Sequence, residues 1–314
     1  MPLRIVFCGT PAFALPAFRH LVAQPDFEIA GVITQPDRPR GRGGEVTSPV
    51  IKDAALEAGI AVYQPERIKS DSARDFLQRV APDVIVIIAY GQIIPAHLLD
   101  IPRLGWINLH ASLLPKYRGA APIQWAIVNG ETCTGVTTMR IDPGLDTGPI
   151  LLQRELAIGP DETAPQLSAR LAELGAPLMA ETLRGLADSS LVPKPQDNSQ
   201  ATLARPLKKE DGLIEWSLPA TMIYARVRGL DPWPGAFTLF RRAKCRIWGK
   251  PVYPVAAGGT PGMILATQED GLLVICGSGT VFHVEHVQLE GRNRVTDRQF
   301  MNGARIKPGE RFGV

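Results

Sequence analysis

The sequence contains few cysteines, and they form neither a disulfide nor a metal-binding pattern. Only four occur in 314 residues, and no two make a C-x-x-C pair. Each is set among apolar or small residues, which predicts buried thiols in a reducing compartment and excludes a disulfide framework or a cysteine zinc site. They are Cys8, Cys133, Cys245 and Cys276. We therefore expect no bound metal.

Long apolar runs are also missing from the sequence. No run approaches the length that spans a bilayer. Residues 1–9 lead directly into a strand-like segment, without the apolar or Arg/Ser-rich leader of a targeting sequence. The sequence therefore predicts a cytoplasmic protein without a membrane partner.

Net charge is small, at +3, and a value of this size does not by itself identify a nucleic-acid partner. The charge is unevenly distributed, however. Residues 208–314 carry fifteen Lys and Arg against ten Asp and Glu, which leaves nineteen against twenty-one for residues 1–207. The basic surplus therefore lies in the C-terminal third of the chain.

The length of the chain exceeds what one core usually organises, so two domains are expected. In the N-terminal part, short apolar runs alternate with longer amphipathic stretches, which predicts parallel strands covered by helices. The run Val84–Ile88 is β-branched throughout and indicates a central strand that is buried on both faces. The first predicted elements are strands at Ile5–Cys8, Ile29–Thr34, Val84–Tyr90 and Trp106–Leu109 and helices at Asp53–Ala58 and Ser72–Arg79.

The pattern changes after a long predicted helix. Thr163 can cap this helix, and Pro177 interrupts its apolar stripe, so a kink or a split is expected there. A polar, proline-bearing stretch follows and indicates a linker, and the short glycine-separated strands beyond it predict a small β-barrel. We therefore expect an α/β fold with a Rossmann-like open parallel sheet over 1–188, a linker over 189–207 and a small OB-like β-barrel over 208–314.

Polar side chains gather where the strand Trp106–His110 ends. Ligands of open α/β sheets bind beyond the carboxyl ends of the strands, and a spacing of two puts Asn108 and His110 on one face. An amide donor beside an imidazole suits the stabilisation of a developing oxyanion. Asp146 lies in the glycine-rich loop 142–149, which alone would be an ordinary turn. In combination with Asn108 and His110 it becomes part of a candidate site.

Basic residues are concentrated in two further segments. The stretch Thr34–Pro49 carries three arginines and scarcely an apolar residue. We expect it to be a flexible surface loop whose guanidinium groups can bind phosphates or stack on bases. In the C-terminal part, aromatic and basic residues are interleaved. The aromatics are expected to be mainly core and the basic residues to bind a phosphate backbone. The candidate nucleic-acid contacts are Arg38, Arg40, Arg42, Arg241, Arg242, Lys244 and Arg246.

Together these motifs resemble those of the methionyl-tRNA formyltransferase family over essentially the whole chain. Asn108, His110 and Asp146 alone would mark any member of the wider group of folate-dependent formyltransferases. The arginine-bearing loop and the appended C-terminal domain restrict the resemblance to the enzymes that act on methionyl-tRNA. The matching segments are 7–11, 34–39, 89–91, 108–110, 112–115, 118–124, 144–148, 214–217 and 231–234.

The resemblance implies a catalytic trio, a folate co-substrate and a tRNA substrate. Asn108, His110 and Asp146 would be the trio, 10-formyltetrahydrofolate the formyl donor and initiator methionyl-tRNA the acceptor. The loop 34–49 would wedge against the acceptor end of the tRNA, and we expect the enzyme to be a monomer. The folate would lie along Ser112, Leu113, Leu114 and Pro115, with its pterin near Ala89, Tyr90, Gly91 and the loop from Asp142 to Asp146.

Formyl transfer to an amine passes through a tetrahedral intermediate. The site must therefore stabilise an oxyanion, accept a proton from the amine and return a proton to the departing nitrogen. Asn108 and a protonated His110 can perform the first task. Asp146 can serve the other two by keeping His110 protonated and by holding water. The segment Gly43–Glu45 departs from the family, where lysines are expected, which leaves the contacts of this loop to its arginines.

Two other functions remain open from the sequence. A formyltransferase for a small molecule, such as a nucleotide sugar or glycinamide ribonucleotide, would need neither the arginine-bearing loop nor the basic barrel. A non-catalytic RNA-binding protein on the same fold would not need an intact Asn108, His110 and Asp146. The sequence contains both sets of features, which favours formyl transfer to tRNA.

Overall fold

The computed structural model describes residues 1–40, 45–253, 257–267, 271–307 and 309–313. Contacts between the described residues group them into two compact units, each made of three chain segments. The domain boundaries inferred from the sequence remain a prediction. No helix in the described ranges is long and apolar enough to cross a membrane. The first unit comprises Met1–Pro122, Cys133–Ala157 and Leu167–Arg205, and the second comprises Ile123–Thr132, Ile158–Gln166 and Pro206–Val314.

The first unit is an α/β structure. Its strands are β1 (Leu3–Gly9), β2 (Phe27–Ile33), β3 (Arg38–Arg40), β4 (Glu45–Thr47), β5 (Val62–Tyr63), β6 (Val84–Ile88), β7 (Trp106–His110), β8 (Arg118–Gly119), β9 (Cys133–Arg140), β10 (Ile150–Ala157) and β11 (Leu203–Ala204). The helices up to residue 187 are α1 (Leu15–Val22), α2 (Val50–Glu57), α3 (Asp71–Val80), α4 (Ala96–Leu99), α5 (Pro122–Val128) and α6 (Ala164–Ala187). Nearly all of α5 and the first residues of α6 belong to the second unit.

A seven-stranded sheet forms the centre of the first unit, in the order β10-β9-β7-β6-β1-β2-β5. The strands from β7 to β5 are parallel, as the alternating pattern predicted, whereas β9 and β10 run antiparallel at one edge. Every residue of Val84–Ile88 is buried, which confirms the predicted central strand. The winding reverses between β1 and β6, because β2 and β5 fill one side of β1 and the chain then returns to the other. A ligand crevice is expected at the carboxyl ends of these two strands.

The long helix α6 covers one face of the sheet with its leucine stripe. Leu167, Leu171 and Leu183 are fully buried, as the helical spacing predicted. Of the kink and the split that were expected at Pro177, the split does not occur, because the helix runs through this residue to Ala187. Pro177 lies on the exposed side, where the carbonyl that loses its helical hydrogen bond can bind water instead.

The second unit is built on a curled antiparallel sheet. Its order is β12-β13-β16-β15-β14, with β17 paired to β16, and the predicted small barrel is therefore a half-barrel. Phe312 forms a β-bridge with Phe240, and Arg311 forms one with Met263, so the last described residues connect both edges of the sheet. The elements are β12 (Phe237–Phe240), β13 (Ala243–Val252), β14 (Ile264–Thr267), β15 (Gly271–Ile275), β16 (Val281–Leu289), β17 (Val295–Thr296), α7 (Ala220–Gly229) and α8 (Asp297–Ala304).

Within the second unit, α7 packs closely against α5. A Cβ atom at Gly229 would lie 2.8 Å from a methyl carbon of Val128, so a larger residue at this position would collide. Tyr224 donates a hydrogen bond to Asp161 at 2.7 Å. Arg228 donates one to the backbone carbonyl of Glu162, also at 2.7 Å. These contacts attach residues 123–132 and 158–166 to the C-terminal part of the chain.

The four cysteines are all free thiols. The prediction of burial is confirmed for three of them, and burial raises the pKa of Cys8 far above its usual range and that of Cys245 and Cys276 to about 12. It is wrong for Cys133, which is exposed. Cys133 is the first residue of β9, and the buried part of that strand begins at Thr134.

Candidate active site

His110 and Asp146 meet at the carboxyl end of β7. The side chain of His110 is only 7% exposed. Its Nε2 lies 2.9 Å from the carbonyl oxygen of Tyr117, and its Nδ1 lies 3.6 Å from Oδ2 of Asp146. A carbonyl oxygen can only accept a hydrogen bond, so Nε2 must carry a proton. Nδ1 is therefore the ring nitrogen that can take part in proton transfer. The separation of 3.6 Å is too long for a hydrogen bond, but it places the carboxylate directly beside Nδ1.

The loop that carries Asp146 is held by hydrogen bonds within the loop and by one from Gly119. Asp146 has a left-handed backbone with φ of 50°, a conformation that Asp and Asn tolerate better than most residues. Its Oδ2 accepts a hydrogen bond from the backbone N–H of Gly119 at 2.8 Å. Oδ1 of Asp142 accepts from the backbone of Gly144 at 3.0 Å and from Thr147 at 2.7 Å. One carboxylate oxygen of Asp142, a predicted folate contact, is therefore used inside the loop.

Asn108 lies two residues before His110 on β7, so both side chains are on the same face of the strand. It is partly buried. Its side-chain amide makes no hydrogen bond with any residue that the structure describes. An amide N–H is therefore available beside His110 for a developing negative charge.

The segment Ser112–Pro115 follows His110 and is held by β9 and β10. Thr137 donates a hydrogen bond to the carbonyl of Ser112 at 2.6 Å and accepts one from the N–H of Leu114 at 3.1 Å. Gln153 donates to Thr137 and to the carbonyl of Leu114, both at 2.9 Å. Ser112 and Leu114 are buried, whereas Leu113 and Pro115 are partly exposed. Leu113 and Pro115 are therefore the members of the predicted folate set that are better placed to contact a ligand.

The predicted pterin contacts lie at the reversal of winding between β1 and β6. Ala89 and Gly91 both have positive φ, at 49° and 86°, and flank Tyr90 in an irregular turn. The carbonyl of Tyr90 accepts hydrogen bonds from Gln35 at 3.0 Å and from Thr10 at 3.4 Å. The ring of Tyr90 is buried, and burial raises the pKa of its hydroxyl. This hydroxyl therefore stays neutral and can act as a donor.

The arginine-bearing loop has more regular structure than expected. Its described parts, β3 and β4, pair as a short antiparallel hairpin. Asp37 anchors the approach to β3 through hydrogen bonds from Lys52 at 2.5 Å and Gln64 at 2.7 Å. Arg38 is exposed and lies 3.8 Å from Glu66. The predicted contact Arg42 and the side chain of Arg40 lie outside the described parts of the structure.

The four basic residues predicted in the C-terminal part all lie on the hairpin formed by β12 and β13. Arg241 is bound to Glu310 at 2.7 Å and to the carbonyl of Ala304 at 3.0 Å. The Lys307 backbone N–H and the Arg241 guanidinium hold the pKa of Glu310 below its usual range. Arg246 is bound to Asp231 at 2.7 Å. The structure thus brings these residues together but neutralises two of them with carboxylates.

Arg242 and Lys244 differ from these two. Lys244 places its ammonium 4.0 Å from the centroid of the Phe237 ring. Arg242 is exposed at the tip of the hairpin and has no ion pair or hydrogen bond with any described residue. Arg241 and Arg242 have φ of 48° and 66°, the left-handed pair that a two-residue hairpin turn requires. This hairpin therefore presents the charge of Arg242 to solvent.

Several residues that support the site were not predicted from the sequence. They are Thr137, Gln153, Arg118 and Gln196. Arg118 belongs to a segment that resembles the family, but its sequence context does not indicate a role, and the other three lack a local sequence signal. Among the described residues, no group of three or more His, Cys, Asp or Glu could hold a metal ion.

Models of protein families match both parts of the chain. The model described as formyl transferase matches residues 3–183, and the one described as formyl transferase, C-terminal domain, matches residues 206–305. The chain therefore belongs to the formyl transferase family.

Individual relatives show which members of this family the chain resembles. The methionyl-tRNA formyltransferase of Solibacter usitatus is 53% identical over 311 residues, which cover 99% of each chain. That of Geobacter sulfurreducens is 47% identical and covers 99% of this chain and 97% of its own. Among solved structures, the N-formyltransferase from Helicobacter canadensis, in complex with folinic acid and dTDP-3-aminofucose, has a TM-score of 0.66 at 17% identity. This match covers 90% of the present chain and 99% of the other, and it shows that the fold is shared.

Proposed function

We propose that this enzyme transfers the formyl group of 10-formyltetrahydrofolate to the amino group of methionine carried by initiator tRNA, for translation initiation. The similarity to methionyl-tRNA formyltransferases extends over 99% of the chain and includes both domains of the family. The observation that carries the proposal is the pairing of His110 with Asp146 at the end of β7, beside an uncommitted amide at Asn108. A non-catalytic protein would not need this arrangement.

Each of the three residues can be given a role in acyl transfer. The folate supplies a formyl group on a nitrogen that must leave with a proton. Asn108 donates its amide N–H to the oxygen that becomes negative during attack. His110 exchanges a proton through Nδ1, since Nε2 is committed to the carbonyl of Tyr117. Asp146 stabilises the protonated ring, and its carboxylate is fixed by the N–H of Gly119.

The residues at the crevice fit a flat, mostly apolar co-substrate with a few polar groups. Leu113 and Pro115 present apolar surface directly after β7. The turn Ala89–Gly91 follows the carboxyl end of the neighbouring strand β6, where ligands of open sheets bind. We assign the folate to this crevice, with its pterin end towards Tyr90 and the Asp142 loop.

Contacts with tRNA are assigned to the two hairpins, one formed by β3 and β4 and the other by β12 and β13. Arg38 and Arg242 present exposed guanidinium groups that suit phosphates or unstacked bases. We also propose a cytoplasmic monomer. The buried thiols suit a reducing compartment, and one copy of the chain provides the catalytic pair together with the backbone groups that hold it.

Incubation of the purified protein with 10-formyltetrahydrofolate and with initiator or elongator tRNA, each charged with methionine, tests this function. Formylation of the methionine on initiator tRNA is expected, with elongator tRNA used far less well. A His110→Ala preparation controls for contaminating activity. Formylation of an amino sugar nucleotide in the absence of activity on tRNA would contradict the proposal.

A further inference from the structure

Residues 194–204, here termed the crossing segment, are integrated into the first unit. At one end, Ile150 and Lys194 exchange two backbone hydrogen bonds, both at 2.8 Å. At the other end, β11 pairs in parallel with β8. The crossing segment is therefore attached at both ends to parts of the chain that also hold the candidate site.

Both the nitrogen and the oxygen of the side-chain amide of Gln196, in the crossing segment, make hydrogen bonds. Its Nε2 donates hydrogen bonds to the carbonyl oxygens of Asp146 and Gly148, both at 2.8 Å. Its Oε1 accepts from Nε and from a terminal nitrogen of Arg118, at 3.0 and 2.7 Å. Arg118 is only 6% exposed, and it also binds Asn198 at 2.8 Å. The left-handed backbone at Asp146 is thus held from outside its own loop.

The crossing segment also supports the other side of the His110 ring. The hydroxyl of Thr202 accepts a hydrogen bond from the N–H of Tyr117 at 2.8 Å. The carbonyl of Thr202 accepts one from the N–H of Arg118, also at 2.8 Å. Tyr117 is the residue whose carbonyl binds Nε2 of His110. Both neighbours of the imidazole, Tyr117 and Asp146, are therefore fixed by residues 196–202.

We propose that Gln196, supported by Arg118, is a positioning residue that sets the carboxylate of Asp146 against Nδ1 of His110. The inference rests on the proposed formyl transfer. The side chain of Gln196 touches neither reacting group and acts through the backbone of Asp146. A displacement of about 1 Å between reacting groups can reduce a rate by ~10²-fold, so loss of these hydrogen bonds should act on turnover and not on substrate affinity.

Two substitutions separate positioning from bulk stability. Gln196→Met keeps the length of the side chain but removes its hydrogen bonds. Gln196→Glu keeps the shape and the contact with Arg118, but places an acceptor against two carbonyl oxygens. Each is expected to lower kcat by ~10-fold or more, with KM for tRNA and folate within about two-fold of the parent value. Gln200→Met is the matched control, because this exposed side chain of the same segment bonds only to Asp197 among the described residues.

A double-mutant cycle with Asp146→Asn decides between the two roles. If Gln196 acts through the Asp146 carboxylate, Gln196→Met should change kcat less than two-fold in the Asp146→Asn background. Multiplicative losses would overturn the inference, as would parent-like kcat in both Gln196 variants or losses that follow a lowered Tm. An inactive parent enzyme would instead reject the proposed function, so the two failures are distinguishable.

Discussion

At the scale of single residues, the two nitrogens of His110 have different tasks. Nε2 is bound to a backbone carbonyl, while Nδ1 faces Asp146. Replacement of His110 or Asn108 by Ala removes a side chain from the reacting centre, and at His110 it also removes the hydrogen bond from Nε2 to the carbonyl of Tyr117. We expect turnover to fall by ~10² or more, the usual effect of losing an oxyanion donor or a general acid–base group.

Single-turnover formylation and filter binding of charged tRNA measure the two parts of this prediction. Binding should stay close to that of the parent enzyme. His97→Ala is the matched control, because His97 is exposed on α4 and should have no effect. Parent-like turnover in either active-site variant would remove that residue from the mechanism.

Asp146→Asn tests the contribution of the carboxylate charge. Asn tolerates the left-handed backbone at this position, and its side-chain oxygen can still accept the hydrogen bond from Gly119. The charge beside Nδ1 of His110 is lost, so we expect turnover to fall by ~10-fold or more. Steady-state kinetics should show little change in KM for folate. Asp188→Asn, in the exposed loop after α6, is the control. Full activity of Asp146→Asn would refute the role of the charge.

The sequence pattern predicted the residues at strand ends but not the residues that hold them in place. Asn108 and His110 were predicted because a period of two and the end of a strand are local features. Asp146 was predicted because its loop occurs in the same sequence as these two residues. Gln196 has no local signal, because its bonds connect positions about fifty residues apart in the chain. The assignment of roles to all of these residues stays a prediction until it is tested.

At the scale of elements, the two arginines at the turn of the hairpin of β12 and β13 have different environments. Arg242 is unpaired in the described structure, whereas Arg241 is bound to Glu310. We expect Arg242→Asn, which suits a positive φ, to weaken tRNA binding and to reduce the salt dependence by about one unit of log-log slope.

Arg241→Asn is the matched comparison within the same turn, since Arg241 also has a positive φ. It breaks the exposed pair with Glu310, which should lower the free energy of unfolding by at most about 1 kcal/mol and alter the salt slope less than Arg242→Asn. Binding titrations at several salt concentrations and thermal unfolding measure the two effects. An unchanged slope in Arg242→Asn would show that this residue does not contact phosphate.

Elements were predicted more reliably than their ends and irregular parts. The buried strands β1, β6 and β7 were found because their apolar runs are long enough to have one interpretation. The hairpin of β3 and β4 was not expected, because its residues are mainly polar and its pairing arises from backbone hydrogen bonds. The sequence left a kink and a split at Pro177 both open, because the continuation of α6 depends on the exposure of that residue.

At the scale of the whole molecule, charge separates the two substrates. The surplus of fifteen basic over ten acidic residues after position 207 suits a polyanion. We expect KM for tRNA to rise steeply with salt concentration while KM for folate barely changes. Initial rates measured across a range of salt concentrations, with each substrate varied in turn, test this. Equal salt dependence of both constants would contradict the assignment of tRNA to the basic regions.

The segments of the two compact units alternate along the chain, and this has a consequence for the synthesis of the protein. Val128 in α5 packs against Gly229 in α7, so the ribosome adds roughly a hundred residues between the two partners. During that interval α5 lacks its contact with α7, and its apolar residues are expected to be accessible to chaperones and proteases. Gln196 likewise emerges long after Asp146. The N-terminal segment is therefore expected to mature only once translation has passed well beyond it.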